Sequence, residues 1–244
     1  MGHSEGGMSA WATAEREAHS PIGGYLGGVS LAPSMDPTEI NRRAFLTESS
    51  RQALTNSGSV FYPVLFAETI RRVFPTLVLS DYLTDTGLQL LKLNLQGGCY
   101  AAAATFFPNF SLKQVWKRND LWTSEQALAW QAITKDQGKG KLDKPLLVIQ
   151  GTADEAVSPA VNEDTFDAHC KQFNNKSPIE YIKYPGFRHG PVILASIQKW
   201  TPFLGSLFAN EKPSGFEYCK KTTVEPKISN ASTMENYAVA YAGR

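Results

Sequence analysis

Residues 145–154 read PLLVIQGTAD, and this stretch decides the fold. Its first half is an uninterrupted apolar run, which is typical of a strand buried on both faces of a parallel sheet. The predicted strand covers residues 146–150, and the polar loop that follows carries Asp154. A helix is predicted next, because Ser158 can cap its first turn and Pro159 suits its first position. Strand, polar loop and helix in this order form the repeating unit of an α/β protein.

The same unit recurs further along the chain. Residues 179–184 read IEYIKY and predict a second strand, and the loop after it carries His189. Residues 191–208 then place apolar side chains at helical spacing, which predicts another helix. Two such units in succession imply a parallel sheet with flanking helices.

Near the start, residues 2–7 read GHSEGG and lead into a predicted helix over 8–19 and a predicted strand over 25–32. Gly2, Ser4 and Gly6 match the Gly-x-Ser-x-Gly elbow, in which a strand turns sharply into a helix and exposes the serine hydroxyl. We expect glycines on both sides of the serine because side chains there would clash in so tight a turn. The strand that should precede such an elbow is missing from the sequence.

A serine hydroxyl needs a base within hydrogen-bond reach and an acid that orients the base. In elbow proteins the partners follow in the order serine, acid, histidine, on loops after later strands. Asp154 and His189 occupy those two loops, so the sequence predicts Ser4, Asp154 and His189 as a catalytic triad. Taken singly, Asp154 could be an ordinary turn residue and His189 an ordinary loop residue. Glu155 is the alternative acid.

The other ionisable residues suggest no further chemistry. His3 is expected to pack locally beside the serine, while His19 and His169 lie on predicted helices and are expected at the surface. Four scattered histidines without paired ligand spacing predict no metal site, and no cofactor motif is present.

Composition excludes several classes of protein. With 244 residues and 42% hydrophobic content, the chain can bury a substantial core. Its 24 basic and 23 acidic residues form no run of like charge, so a nucleic-acid binder is not expected. No apolar stretch approaches the ~20 residues of a transmembrane helix. No signal peptide is present in the sequence as written.

The pattern changes over residues 36–140, where helical segments follow one another without a convincing strand. This predicts a domain organisation in which 1–35 and 141–210 form the sheet, 36–140 is a helical cap or lid insertion, and 211–244 is a tail of weak periodicity. The apolar clusters at 60–66 and 105–108 could line an acyl pocket or a lipid-facing lid, but core packing is the favoured interpretation.

With these residues, the chain resembles the fungal secretory lipase family, which includes cap-bearing lipases and acetylesterases. The likeness is carried by GHSEGG at 2–7 with AWA at 10–12, by PLLVIQGTADEAV at 145–157 and by HGP at 189–191. The resemblance implies a partial α/β-hydrolase fold with an inserted helical cap, secretion, and hydrolysis of acylglycerols or related esters without a cofactor. Carried over by position, Ser4, Asp154 and His189 match the triad of the family.

The front of the chain departs from the family, in which a signal peptide and the first strands precede the elbow. We therefore expect an N-terminally truncated chain with an exposed edge at the strand after the elbow helix. The backbone N–H of Glu5 would be one oxyanion donor, and the second, from an early loop, would be absent. Such a chain is expected to be poorly stable and weakly active.

The same resemblance leads to a proposed disulfide between Cys170 and Cys219, with Cys99 left unpaired by the missing front part. Sequons at Asn109, Asn175 and Asn230 favour an extracellular glycoprotein.

The favoured function is a serine carboxylic-ester hydrolase of lipase or esterase type. Its partners would be small-molecule or lipid esters, with a lipid–water interface as a candidate binding surface. The alternatives are a non-catalytic hydrolase-like fragment or binding protein, and an acetylesterase or serine exopeptidase of the same fold.

Overall fold

The computed structural model describes residues 1–56, 58–98, 100–134 and 138–224. By its internal contacts the chain divides into two compact units. We call them the sheet unit, which comprises Met1–Met35 with Asp136–Arg244, and the helical unit, which comprises Asp36–Lys135.

Five parallel strands form the sheet in the described residues, and their order across the sheet follows their order along the chain. They are β1 (Gly2–His3), β2 (Gly28–Leu31), β3 (Leu146–Gly151), β4 (Ile179–Tyr184) and β5 (Lys220–Thr223). Because every pairing is parallel, the carboxyl ends of all strands lie at one edge of the sheet, where α/β proteins place their ligand-binding loops.

Eleven α-helices occur in the described residues. They are α1 (Glu5–His19), α2 (Pro37–Leu46), α3 (Glu48–Asn56), α4 (Phe61–Val73), α5 (Asp85–Gly97), α6 (Tyr100–Phe106), α7 (Leu112–Val115), α8 (Glu125–Thr134), α9 (Pro159–Gln172), α10 (Pro191–Ala195) and α11 (Ile197–Phe208). Two 3₁₀ turns, Leu79–Asp81 and Asp120–Thr123, complete the helical unit. Helices α2 to α8 belong to the helical unit, and the other four belong to the sheet unit.

The core of the sheet unit forms around β3, all six residues of which are buried. Trp11 from α1 and Phe166 from α9 belong to the same buried cluster as Val148 of β3 and Tyr181 of β4. At one side of this cluster, a disulfide joins Cys170 of α9 to Cys219, directly before β5. The pairing proposed from the resemblance is therefore present, whereas Cys99 lies outside the described residues.

The helical unit has a core of its own, centred on the aromatic rings of Phe45, Trp116 and Trp122. Both apolar clusters noted in the sequence contribute to it, since Val60, Phe61, Val64 and Phe107 are all buried there. Other residues of the two clusters pack against this core and are only partly buried, namely Tyr62, Leu65, Phe66 and Phe106.

The start of the sheet differs from the sequence-based expectation. Gly2 and His3 form the short strand β1 and pair with Ser30 and Leu31 of β2. All four residues of β2 are buried. The expectations of a missing strand and of an exposed edge at β2 are therefore wrong, because two residues ahead of Ser4 suffice to pair with the end of β2.

Among the described residues, no helix combines the length and apolar character that crossing a membrane requires.

Candidate active site

Ser4 alone makes the turn between β1 and α1. Its backbone has φ 58° and ψ −119°, a left-handed conformation that is strained for a residue with a side chain. Main-chain hydrogen bonds hold this conformation from both sides: the Ser4 N–H donates to the Leu31 carbonyl at 2.9 Å, and the Ser34 N–H donates to the Ser4 carbonyl at 3.2 Å. The strain is thus maintained by the loop that follows β2.

The two glycines of the elbow have different roles. A Cβ on Gly2 would lie 2.0 Å from the Gly6 carbonyl oxygen, so no side chain fits there. A Cβ on Gly6 would meet no atom within 4 Å. The expectation of a clash on both sides of the serine is therefore right for Gly2 and wrong for Gly6, because the first turn of the helix passes over Gly2 and leaves Gly6 facing outward.

The Ser4 hydroxyl is only partly buried and makes no capping hydrogen bond to α1. It makes no hydrogen bond with any other described residue either. Glu5 is the first residue of α1, where the N–H groups have no preceding helical carbonyl to bind. The serine oxygen and these N–H groups stand at the same end of the helix.

Asp154 accepts four hydrogen bonds, which matches the acceptor capacity of a carboxylate. Its Oδ1 accepts from the backbone N–H groups of Ala156 and Val157, both at 2.9 Å. Its Oδ2 accepts from Gln150 Nε2 and from His189 Nδ1, both at 2.8 Å. The side chain is fully buried, with 0% exposure. This carboxyl group is thereby fixed in one orientation relative to the His189 ring.

The acid and histidine loops are bound to each other through their main chains. The N–H groups of Thr152 and Ala153 donate to the carbonyls of Tyr184 and Phe187, each at 3.0 Å. A Cβ on Gly151 would lie 2.3 Å from the Phe187 oxygen, so this close approach requires glycine.

Glu155, the alternative acid, binds the histidine loop at other atoms. Its Oε2 accepts from Arg188 Nε at 3.2 Å and from the His189 backbone N–H at 3.3 Å. The imidazole ring itself contacts Asp154. In this arrangement Asp154 orients the ring, and Glu155 holds the main chain.

The contact with Asp154 also determines the tautomer of His189. Because a carboxylate can only accept, Nδ1 must carry the proton, and in a neutral ring Nε2 is then an unprotonated acceptor. No described residue makes a hydrogen bond to Nε2. The side chain is 12% exposed, and the Ser4 hydroxyl makes no hydrogen bond to this nitrogen.

His3 connects the elbow to the histidine loop. Its Nε2 lies 3.0 Å from the His189 carbonyl oxygen, and the two ring centroids are 4.4 Å apart. Burial, and next the proximity of His189, lower the pKa of His3 to about 4. His3 immediately precedes Ser4, so Ser4 and His189 lie at the same edge of the sheet. Sequence reasoning assigned His3 only to local packing and missed this contact.

His169 is buried, contrary to the expectation of a surface position. Its Nδ1 bonds the Gly138 carbonyl at 2.8 Å and its Nε2 bonds the Ser177 hydroxyl at 2.6 Å, which satisfies both ring nitrogens in the core. Burial lowers its pKa. His19 is exposed at the end of α1. Within the described ranges, no three His, Cys, Asp or Glu side chains are grouped to bind a metal ion.

A parallel sheet in which a serine elbow follows β1, an acid loop follows β3 and a histidine loop follows β4 has the α/β-hydrolase fold. Two solved structures with this fold are similar to the chain, and both are of Candida antarctica lipase A. The enzyme in its closed state aligns with a TM-score of 0.67 and a second structure with 0.65, each at 15% identity over 99% of this chain. The lipase-like α/β-hydrolase fold is thereby established.

The alignment covers 55% of each of those two chains, so this chain spans about half their length. No family model matches the chain, and neither does any curated protein.

Proposed function

We propose that this chain is a serine hydrolase of carboxylic esters, with Ser4 as nucleophile, His189 as base and Asp154 as acid. The observation that carries the proposal is the buried 2.8 Å hydrogen bond between His189 Nδ1 and Asp154 Oδ2. It leaves His189 Nε2 as an acceptor at the edge of the sheet where β1 leads into Ser4. The lipase-like fold is independent support.

The chemistry follows from this arrangement. The Ser4 oxygen attacks the acyl carbon while its proton moves to His189 Nε2, and Asp154 stabilises the imidazolium that forms. The negative charge on the substrate oxygen develops near the first turn of α1, where the Glu5 N–H supplies one donor of the oxyanion hole. His189 then returns the proton to the leaving alcohol, and water releases the acyl group by the same steps in reverse.

A fluorophosphonate probe tests the nucleophile directly, because it reacts only with an activated serine. We expect one labelled peptide, containing Ser4, and no labelling of Ser4→Ala. Ser9→Ala is the matched control, since Ser9 lies exposed on α1, the helix directly after Ser4, and should leave labelling unchanged. Asp154→Asn should slow labelling by about 10⁴-fold, as the loss of the orienting acid does in other triads.

A substrate panel distinguishes the remaining functions. We expect turnover of p-nitrophenyl esters and none of aminoacyl arylamides; the reverse would indicate an exopeptidase. Esters of increasing acyl length would separate an acetylesterase from a lipase. A rise in tributyrin hydrolysis above its solubility limit would show that a lipid–water interface is required. A folded chain that neither labels nor turns over any of these would be a non-catalytic, hydrolase-like binding protein.

We further propose an extracellular location, which the Cys170–Cys219 disulfide supports because such bonds persist in oxidising compartments. The sequon residues Asn109 and Asn175 are exposed, as glycosylation requires, whereas Asn230 lies outside the described residues. Expressed in a eukaryotic host behind a secretory leader, the chain should give a product whose gel mobility increases after glycosidase treatment. A secreted product that carries no glycan would count against this location.

A further inference from the structure

His189 is held at three points by three side chains. Asp154 binds its ring, Glu155 Oε2 accepts from its backbone N–H at 3.3 Å, and His3 Nε2 lies 3.0 Å from its carbonyl oxygen. The first two contacts come from one loop, whereas the third comes from the elbow. His3 is therefore the side chain that ties the position of the histidine loop to the position of Ser4.

The contact to His3 has a defined direction. A carbonyl oxygen only accepts, so Nε2 of His3 must carry the proton and donate it. The His3 ring also lies against the His189 ring, with centroids 4.4 Å apart and planes tilted by 43°. The His3 ring thus packs beside the His189 ring, and this contact opposes rotation of the His189 side chain.

The chemical nature of His3 suits this position. A neutral imidazole offers a flat surface and one N–H donor without a charge. A lysine or arginine here would place a cation beside the imidazolium that forms during acyl transfer and would raise the energy of that state. Phenylalanine would keep the flat ring but lose the donor. The pKa of His3, lowered to about 4, keeps the ring uncharged at neutral pH.

We propose that His3 is a positioning residue, which holds the His189 main chain and ring in register with the Ser4 hydroxyl. This inference rests on the proposed roles of Ser4, Asp154 and His189. His3 does not need to touch the substrate, so its loss should affect the chemical step and leave substrate binding unchanged. Misplacement of a catalytic group by about 1 Å is enough to reduce turnover by up to about 100-fold.

The test compares His3→Phe with His3→Gln in the full chain. His3→Phe removes the donor, and we expect kcat to fall by about 10- to 100-fold while KM stays within about 2-fold. His3→Gln restores an N–H donor near the same place and should recover a large part of kcat. His19→Phe, at the exposed histidine that ends α1, should behave like the unmutated protein. Equal losses in the Phe and Gln variants, or an effect on KM alone, would overturn the proposal.

A second measurement does not depend on turnover. The His189 Nδ1–H proton should give a far-downfield NMR resonance, assigned by its absence in His189→Ala. We expect this proton to exchange faster with solvent in His3→Phe than in His3→Gln, because the ring is less restrained. Equal exchange in both variants and the unmutated protein would overturn the role of His3 even if ester hydrolysis is demonstrated. An active-site serine that fails to label would instead count against the proposed function.

Discussion

Gln150 links Asp154 to Asn162 through two buried side-chain hydrogen bonds next to the candidate active site. Its Nε2 donates to Asp154 Oδ2 at 2.8 Å, and its Oε1 accepts from Asn162 Nδ2 at 2.7 Å. Gln150 and Asn162 both have 0% exposure. Because a carboxylate only accepts hydrogen bonds, the amide nitrogen of Gln150 must face Asp154, and the amide oxygen of Gln150 then faces Asn162. The orientation of Asp154 therefore depends on a residue in the interior of β3.

We predict that Gln150→Leu lowers both stability and activity. The Asn162 amide would be left buried without an acceptor, which costs about 2 kcal/mol of unfolding free energy, and Asp154 would lose one of its donors. Turnover should fall on the order of 10-fold through misalignment of the ring. Urea unfolding and ester kinetics measure the two effects.

The double variant Gln150→Leu/Asn162→Leu separates these effects. Replacing both partners by apolar groups removes the unpaired amide, so most of the stability should return while turnover stays low. A double variant as unstable as the single one, or full turnover in both, would contradict this account of Gln150.

At the residue scale, the sequence indicates the candidate nucleophile, acid and base because their residue types and chain order are chemically constrained. It does not indicate the role of His3, whose partner is a carbonyl oxygen 186 residues away. Every residue has a main-chain carbonyl, so the identity of residue 189 does not indicate that its carbonyl oxygen accepts from His3. Gln150 could have been noticed, because a glutamine inside a buried apolar run must find a hydrogen-bond partner.

The elbow, formed by β1, Ser4 and α1, depends on the absence of a side chain at one position. We predict that Gly2→Ala lowers the unfolding free energy by about 3 kcal/mol, because its Cβ would lie 2.0 Å from the Gly6 oxygen and the main chain must move. The same movement displaces Ser4, so fluorophosphonate labelling should also slow.

Gly6→Ala is the matched control within the same motif. Its Cβ would enter open space in the first turn of α1, and loss of glycine there should stabilise the folded state by about 0.5 kcal/mol. Thermal melts of the two variants should therefore shift in opposite directions. Equal destabilisation by both would show that the elbow is not packed as described.

The sequence predicted the buried strands β3 and β4, but it did not predict where consecutive helices end and begin. β3 coincides with an apolar run, and β4 with a short segment rich in Ile and Tyr that prolines bound at both ends, and both patterns favour a strand. Within the helical pattern of 36–140, the chain is interrupted between α2 and α3, because Thr47 is extended and its hydroxyl accepts from the Ser50 N–H at 3.1 Å. Such local capping competes with helix continuation and leaves periodicity unchanged.

β5 was missed for a different reason. Lys220–Thr223 alternates between partly buried and exposed residues and carries no apolar run. Its position depends on pairing with β4, on the disulfide at Cys219 and on ion pairs from Lys221 to Glu163 and Asp167. These contacts involve residues far away in the sequence, so the residues of the segment itself do not predict a strand.

For the molecule as a whole, buried histidines determine how stability responds to mild acid. The pKa of His3 is lowered to about 4 and that of His169 is lowered by burial, whereas both titrate near 6.5 in the unfolded chain. Between pH 7 and 5 the unfolded state therefore binds more protons, and we predict that the free energy of unfolding falls as pH falls. Urea unfolding at pH 7, 6 and 5 measures this.

Glu180 has the opposite effect on the pH dependence. Burial raises its pKa, so its contribution to the free energy of unfolding is lost as pH rises. Carboxyl groups held by cations, such as Glu68 and Glu163, lose their contribution only as pH falls below about 4.5. His169→Gln removes one of the two rings whose pKa is lowered and should make the fall from pH 7 to 5 shallower, whatever its effect on absolute stability. A stability that is flat or rises over this range would refute the prediction.

The two units have separate hydrophobic clusters, and the cluster of the helical unit lies entirely within Asp36–Lys135. A segment of this length can bury enough surface to fold alone. We predict that residues 36–135 expressed alone are helical and melt cooperatively. Trp122→Ala should lower the unfolding free energy of the segment by about 3–5 kcal/mol, whereas Leu128→Ala, at a half-exposed position, should change it by less than about 0.5 kcal/mol. A broad melt with strong binding of a hydrophobic dye would show instead that this core is incomplete without the rest of the chain.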